Sequence, residues 1–254
     1  DLHRDRAYHY CGSKRNFGCY PVSAPSVPAA GWCPDGWPVA AYGRRPRAVL
    51  NMPFSEEIPT LTPVGITRWK GEEWITQRAL DTANFTVEKD ALTLCGNGLD
   101  LCDRKMQGLL LVRQQERAFT AETALEIPAA GTAGLTCYYD EHSYLKFGIG
   151  PEGLLLEEYA GYEVVSRQTA PLPASTSHVR LRVTAADGQR HFAIQDRTDW
   201  HTLWSIPEPR YLTSEGLQCG KRFTGAMVGL YVHGASAVRF ADWVAVWPHP
   251  EEKR

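Results

Sequence analysis

Phe119-Thr120-Ala121-Glu122-Thr123-Ala124-Leu125-Glu126-Ile127 alternates in period two. Phe119, Ala121, Thr123, Leu125 and Ile127 fall on one side, and Thr120, Glu122, Ala124 and Glu126 on the other. That is a strand with one buried and one wet face. Leu109 to Val112 precedes it as an apolar run short enough for a covered strand. Leu135 to Tyr139, Tyr144 to Ile149 and Leu154 to Tyr159 follow, separated by Gly131, Gly134, Asp140-Glu141 and Pro151-Glu152-Gly153. These five candidates read as a meander at the centre of an antiparallel sandwich.

Working outward, Val179 to Thr184 alternates, Ala186-Asp187-Gly188-Gln189 turns the chain, and Arg190 to Gln195 returns as a hairpin. Met227 to His233 and Val238 to Trp247 complete the strands, and residues 200 to 220 read as loop, with a short helical turn at Ser214 to Leu217. Before the meander, Ile66 to Trp69, Phe85 to Glu88 and Leu92 to Cys95 are short strand candidates, Trp74 a docking aromatic and Asn97-Gly98 a tight turn. The first 50 residues differ. They hold four of the eleven Tyr, three of the seven Cys and six Pro, which leaves no room for long strands. The fold expected is all-β: a two-sheet antiparallel sandwich over residues 51–248, preceded by an irregular segment over residues 1–50.

Bulk numbers exclude some classes. Lys plus Arg is 27 and Asp plus Glu 29, a formal net charge of −2 with no basic footprint for nucleic acid. No apolar run approaches the ~20 residues of a membrane helix. The start, Asp-Leu-His-Arg-Asp-Arg, carries neither an initiator Met nor a signal-peptide core, which reads as a start inside something larger or a trimmed one. Seven sparse cysteines argue against a disulfide framework and for a reducing cytoplasm, and Cys137 reads as a small core residue.

Chemistry-bearing patterns are few. Adjacent Glu157 and Glu158 point to opposite faces of a strand, so they cannot flank one glycosidic bond, and they read as solvated strand ends. Tyr138, Asp140, His142 and Tyr144 cluster at a hairpin tip, where rings stack on sugar faces and polar tips take hydroxyls, or where the tyrosines are plain sheet residues. Asp140, Glu141 and His142 are also oxygen and nitrogen donors on one turn. No metal site is expected from them, although calcium is left open, and no cofactor is expected. His-Glu-x-x-His and Gly-x-Ser-x-Gly are absent. Phe223, on a loop ahead of a strand, either plugs the core or projects from it.

Several segments resemble one family. Val112 to Gln115 with Phe119, Thr123 and Leu125, then Gly134 to Asp140, Asp196 to Trp200, Leu212 to Glu215 and Phe223 to Leu230 are similar, in order and spacing, to the concanavalin A-like C-terminal domain of family 43 glycoside hydrolases of the β-xylosidase and α-L-arabinofuranosidase type. His9 to Gly12 and Asp35 to Pro38, with Gly43 and Pro46, resemble the end of that family's catalytic propeller. Ser23 departs from it, standing where the family has a substrate-contacting Arg.

The resemblance implies a concanavalin A-like jelly roll and a five-bladed propeller that cleaves xylosides or arabinofuranosides with inversion, using a carboxylate base and a carboxylic acid. Those catalytic residues fall upstream, so no catalytic residue is assigned in this chain. Phe223, with Arg222 before it, matches the aromatic that lines the active-site mouth. The first reading is an accessory sandwich that packs on a propeller, in the same chain or another, with a xylo- or arabino-oligosaccharide as substrate. The second is a free carbohydrate-binding module with Trp69, Trp74, Tyr138, Tyr144 and Trp200 available for stacking. The third is an inactive truncated remnant whose exposed propeller-facing patch drives homo-oligomer formation.

Overall fold

Strand-length alternation of apolar and polar residues builds two antiparallel sheets facing one another. The computed structural model describes residues 7–10, 19–22, 64–65, 74–77, 82–88, 91–114, 117–172, 176–217, 219–220 and 225–247; 7–10, 19–22, 64–65 and 82 are described by backbone alone. The chain divides into two compact units, 1–60 and 61–254. In the first, β1 (Ala7–Tyr10) and β2 (Cys19–Val22) form an antiparallel pair with Tyr10 opposite Cys19.

The second unit holds the sandwich. Its strands are β3 (Val64–Gly65), β4 (Phe85–Val87), β5 (Ala91–Cys95), β6 (Leu109–Arg113), β7 (Phe119–Glu126), β8 (Thr132–Asp140), β9 (Ser143–Gly150), β10 (Gly153–Ala160), β11 (Glu163–Ala170), β12 (His178–Ala186), β13 (Gln189–Asp196), β14 (Asp199–Pro207), β15 (Met227–His233) and β16 (Ala237–Val246). One sheet runs β11-β10-β9-β8-β15-β6, and Ile75 bridges Leu111 at the β6 edge. The other runs β14-β13-β12-β7-β16-β5-β4, with β3 also on β16.

The five expected strands of the meander are all present, but they do not form one meander. β8, β9 and β10 run consecutively, whereas β7 crosses to the middle of the other sheet and β15 separates β6 from β8. Burial explains the division. β7 alternates because the outer face of its sheet is wet; β8 and β9 are buried almost throughout because both faces of theirs are covered. Residues 200–220 are also more ordered than expected: β14 fills the first part, a 3₁₀ turn, Arg210–Leu212, follows, and the expected turn at Ser214 to Leu217 is present, closed by the Leu217 N–H donating to the Thr213 carbonyl at 3.1 Å.

Between the sheets lies one apolar core. Leu135, Phe147, Leu181, Phe192, Leu230, Phe240 and Trp243 are among its buried members. Phe147 meets Phe192 edge-on at 5.3 Å. Trp74 docks as expected, tilted against Trp243 at 5.4 Å. Cys137 is a buried core residue, and desolvation raises its thiol pKa. No helix among the described residues is long and apolar enough to cross a membrane.

Candidate functional site

Alternation along β8, β9 and β10 carries Tyr138, Tyr144 and Tyr159 into one cross-strand row on the sheet face opposite the main core. Tyr138 and Tyr144 stack at 6.1 Å and 12°, Tyr144 and Tyr159 at 4.7 Å and 4°. The segment between β5 and β6 folds over them as a strap. Its Leu101 and Met106 join Leu109, Leu111, Tyr138, Tyr144, Met227 and Tyr231 in a second apolar cluster. Asn97 closes the strap's base, donating from Nδ2 to the Lys105 carbonyl at 2.9 Å and accepting from the Gln107 N–H at 3.3 Å. Gln77 Nε2 donates to the Tyr138 hydroxyl at 2.6 Å and to the Leu101 carbonyl at 3.2 Å. Burial pushes the phenols of Tyr138, Tyr144 and Tyr231 well above their ordinary range.

One row along, the same face carries charge. Lys146 on β9 lies between Thr136 on β8 and Glu157 on β10, and Glu157 is opposite Arg167 on β11. Lys146 and Glu157 are 2% and 1% exposed. The ammonium donates to Glu157 at 2.8 Å and to Asp100 of the strap at 2.7 Å. Arg167 closes on the other Glu157 oxygen, its Nε at 2.8 Å with a second contact from Nη2. Buried charges persist only when paired in this way. Glu157 is therefore not the solvated strand end expected from its sequence. Glu158 does point to the opposite face, where it accepts from the Tyr211 hydroxyl at 2.6 Å.

At the β8–β9 tip, Asp140 Oδ1 accepts from the His142 N–H at 2.9 Å, Glu141 pairs with Arg104 at 2.8 Å, and the His142 ring lies 4.0 Å from that of Tyr162. A side chain on Gly220 would meet the Asp140 carboxylate at 2.2 Å, so the chain after β14 passes directly against this tip. That chain is anchored upstream by the Tyr211–Glu158 bond, by Tyr139 and Ser214 sharing a hydrogen bond of 2.8 Å, and by buried Leu212 and Leu217. Arg222 and Phe223, which follow, lie outside the described residues.

The structure brings Tyr138, Asp140, His142 and Tyr144 together at one end of one sheet, and all four are buried. Among the described residues, no group of three or more His, Cys, Asp or Glu is placed to hold a metal ion. Of the five rings named for stacking, Trp74, Tyr138 and Tyr144 are buried, Trp69 lies outside the described residues, and Trp200 on β14 is half-exposed. The Lys146–Glu157 pair was missed because a Lys and a Glu in neighbouring strands look wet until the strap is known to cover them.

Two apposed antiparallel sheets, jelly-roll order and a loop anchored at one rim define a concanavalin A-like sandwich. Residues 70–244 match the family model of the β-xylosidase C-terminal concanavalin A-like domain, and the chain belongs to that family. It is 27% identical over 169 residues to the β-xylosidase of Bacillus subtilis (strain 168), covering 60% of this chain and 32% of that protein. The GH43 protein BlXynB of Bacillus licheniformis superposes with a TM-score of 0.67 at 22% identity, over 85% of this chain and 45% of that one. The xylan β-1,4-xylosidase of Bacillus halodurans C-125 gives a TM-score of 0.66 at 19% identity, with the same coverage. At those identities the two structures show likeness of fold. The chain spans under half the length of each of these relatives.

Proposed function

We propose that the chain works as the accessory sandwich of a β-xylosidase- or arabinofuranosidase-like glycoside hydrolase. It packs on a propeller catalytic domain and shapes the active-site mouth, and it carries no catalytic group of its own. The observation behind this reading is the family match over residues 70–244, within relatives more than twice as long as their matched part. The anchoring of the loop after β14 supports the role given to Phe223. Tyr211, Ser214, Leu217 and Gly220 hold the described chain that leads towards it against the sandwich. A wall of this kind acts by excluding water and limiting the length of the subsite, not by moving a proton.

A chimera tests it. Residues 61–254 replace the matching C-terminal part of the Bacillus subtilis β-xylosidase, and hydrolysis of an aryl xyloside is measured. The expected result is activity well above that of the truncated enzyme alone, with Phe223→Ala lowering kcat/KM roughly tenfold or more, as loss of a positioning contact does. A folded chimera no more active than the truncated enzyme would sink the reading.

A further inference from the structure

The role just proposed assigns nothing to the outer face of the eight-stranded sheet, whose side chains are arranged in register. Thr202, Ala193, Arg182, Glu122 and Val244 form one row across β14, β13, β12, β7 and β16. Ser205, His191, Thr184, Thr120 and Val246 form the next. Most of these side chains are short, so the longer ones stand above a low floor. At the β14 margin is Trp200, half-exposed, with the Arg182 guanidinium stacked over one face of its ring, 3.7 Å from the centre.

The polar groups beside that ring are held in place. Glu122 Oε1 accepts from Arg182 Nε at 2.8 Å and pairs with its Nη2 at 2.6 Å. The second carboxylate oxygen is 3.5 Å from Arg180, which is 3.8 Å from Asp242. Two guanidinium groups thus face two carboxylates. The cluster is balanced in charge and offers donors and acceptors together, with no excess cation to select an anion. Because the carboxylate already orients both arginines, a ligand would lose little side-chain freedom on meeting them. An aromatic ring next to fixed hydrogen-bonding groups matches a sugar, which presents C–H on its faces and hydroxyls at its rim. Trp200 to β16 spans four strand spacings, ~19 Å, which suits several linked sugar rings better than one.

We propose that this face binds a neutral oligosaccharide, with the Trp200 ring face that Arg182 leaves uncovered stacking on one sugar ring and the Arg182–Glu122–Arg180 network taking hydroxyls of its neighbour. This goes beyond the accessory role and does not depend on it. Binding here is read in this chain without a propeller, whereas the chimera reads hydrolysis, so either idea can fail while the other stands.

Calorimetric titration of the full 254-residue chain with xylohexaose and with arabinohexaose is the test. The expected result is saturable binding of at least one of them, little changed between low and high salt because the ligand is uncharged. Trp200→Ala weakens it about tenfold or more, in the range of a lost stacking contact, and Trp200→Phe restores most of it. Val164→Ala, on the exposed edge strand of the other sheet, leaves it unchanged. Circular dichroism of each variant checks that the sandwich is intact. Flat isotherms with both sugars overturn the proposal. So does a natively folded Trp200→Ala protein that binds as the wild type does, or tighter, salt-sensitive binding of a uronate-bearing xylan fragment.

Discussion

Lys146 ends its side chain between two carboxylates on a sheet face with almost no water. Its ammonium is 2.8 Å from Glu157 and 2.7 Å from Asp100, and Arg167 meets Glu157 from the edge strand. Removing Glu157 leaves the buried Lys146 ammonium with Asp100 as its remaining carboxylate and no room to hydrate in place of the lost one. Glu157→Ala is therefore expected to destabilise the protein by about 3–5 kcal/mol. Replacing Glu157 and Lys146 together by apolar residues of similar size is expected to cost less, because neither charge remains. Denaturant melts of the two variants check this, and a single variant as stable as the double one would contradict it. This cluster was hidden in the sequence for a physical reason. Glu157-Glu158 is an unremarkable acidic pair, and the other members of its cluster are 11 residues before Glu157, 57 before and 10 after. Only the strand register and the strap bring Lys146 and Arg167 to the two Glu157 oxygens and Asp100 to the Lys146 ammonium.

At the scale of elements, what the sequence revealed follows one rule: alternation survives where a strand has one wet face and no irregularity. β7 and β12 satisfy both conditions, and their ends match the expected ones within two residues. β11 and β14 do not. The β10–β11 pairing shifts between Glu158 and Tyr159 and leaves Val165 without a partner of its own, and the β13–β14 pairing shifts between Phe192 and Ala193 and does the same to Leu203. A bulge inverts the alternation half-way along, so neither segment reads as period two. The hairpin tip was legible as a cluster, since Tyr138, Asp140, His142 and Tyr144 do converge. Its cover was not, because the strap shows only as Asn97-Gly98 and two scattered apolar residues. The strap has a consequence for pH. Tyr138 and Tyr144 beneath it, and Tyr231 beside them, keep their protons well above the ordinary phenol value of about 10. Above that value the unfolded chain releases these protons and the folded one does not, so stability present below pH 10 is lost as pH rises through and beyond it. Thermal melts between pH 9 and 12 should show a falling midpoint, and phenolate absorbance from these rings should rise only with unfolding. A phenolate signal from all the tyrosines near pH 10 in a chain that stays folded would refute this.

On the scale of the whole molecule, chain order and spatial order diverge, and that decides where the chain tolerates loss. Every residue of the two apolar clusters lies between Trp74 and Trp247. β16, the last strand in the sequence, is not at a margin: it sits between β7 and β5, and it also carries β3. Phe240, Trp243 and Ala245 project from it into the core, and Thr123 Oγ1 donates to the Ala241 carbonyl at 3.1 Å. Without β16 the run from β14 to β7, the β5–β4 pair and β3 are no longer joined, and Trp74 loses Trp243. Deleting residues 1–60, by contrast, removes none of the described core. Residues 61–254 alone are therefore expected to melt in one cooperative transition, within a few degrees of the full chain. A chain ending at Ser236 is expected to show no transition and to be digested throughout by a nonspecific protease, because burying an apolar face in this fold requires its sheet to be continuous. Scanning calorimetry and limited proteolysis decide both halves. A cooperative melt from the chain lacking β16 would mean that the six-stranded sheet and its strap hold a core of their own, and the sandwich would then be two folding units instead of one.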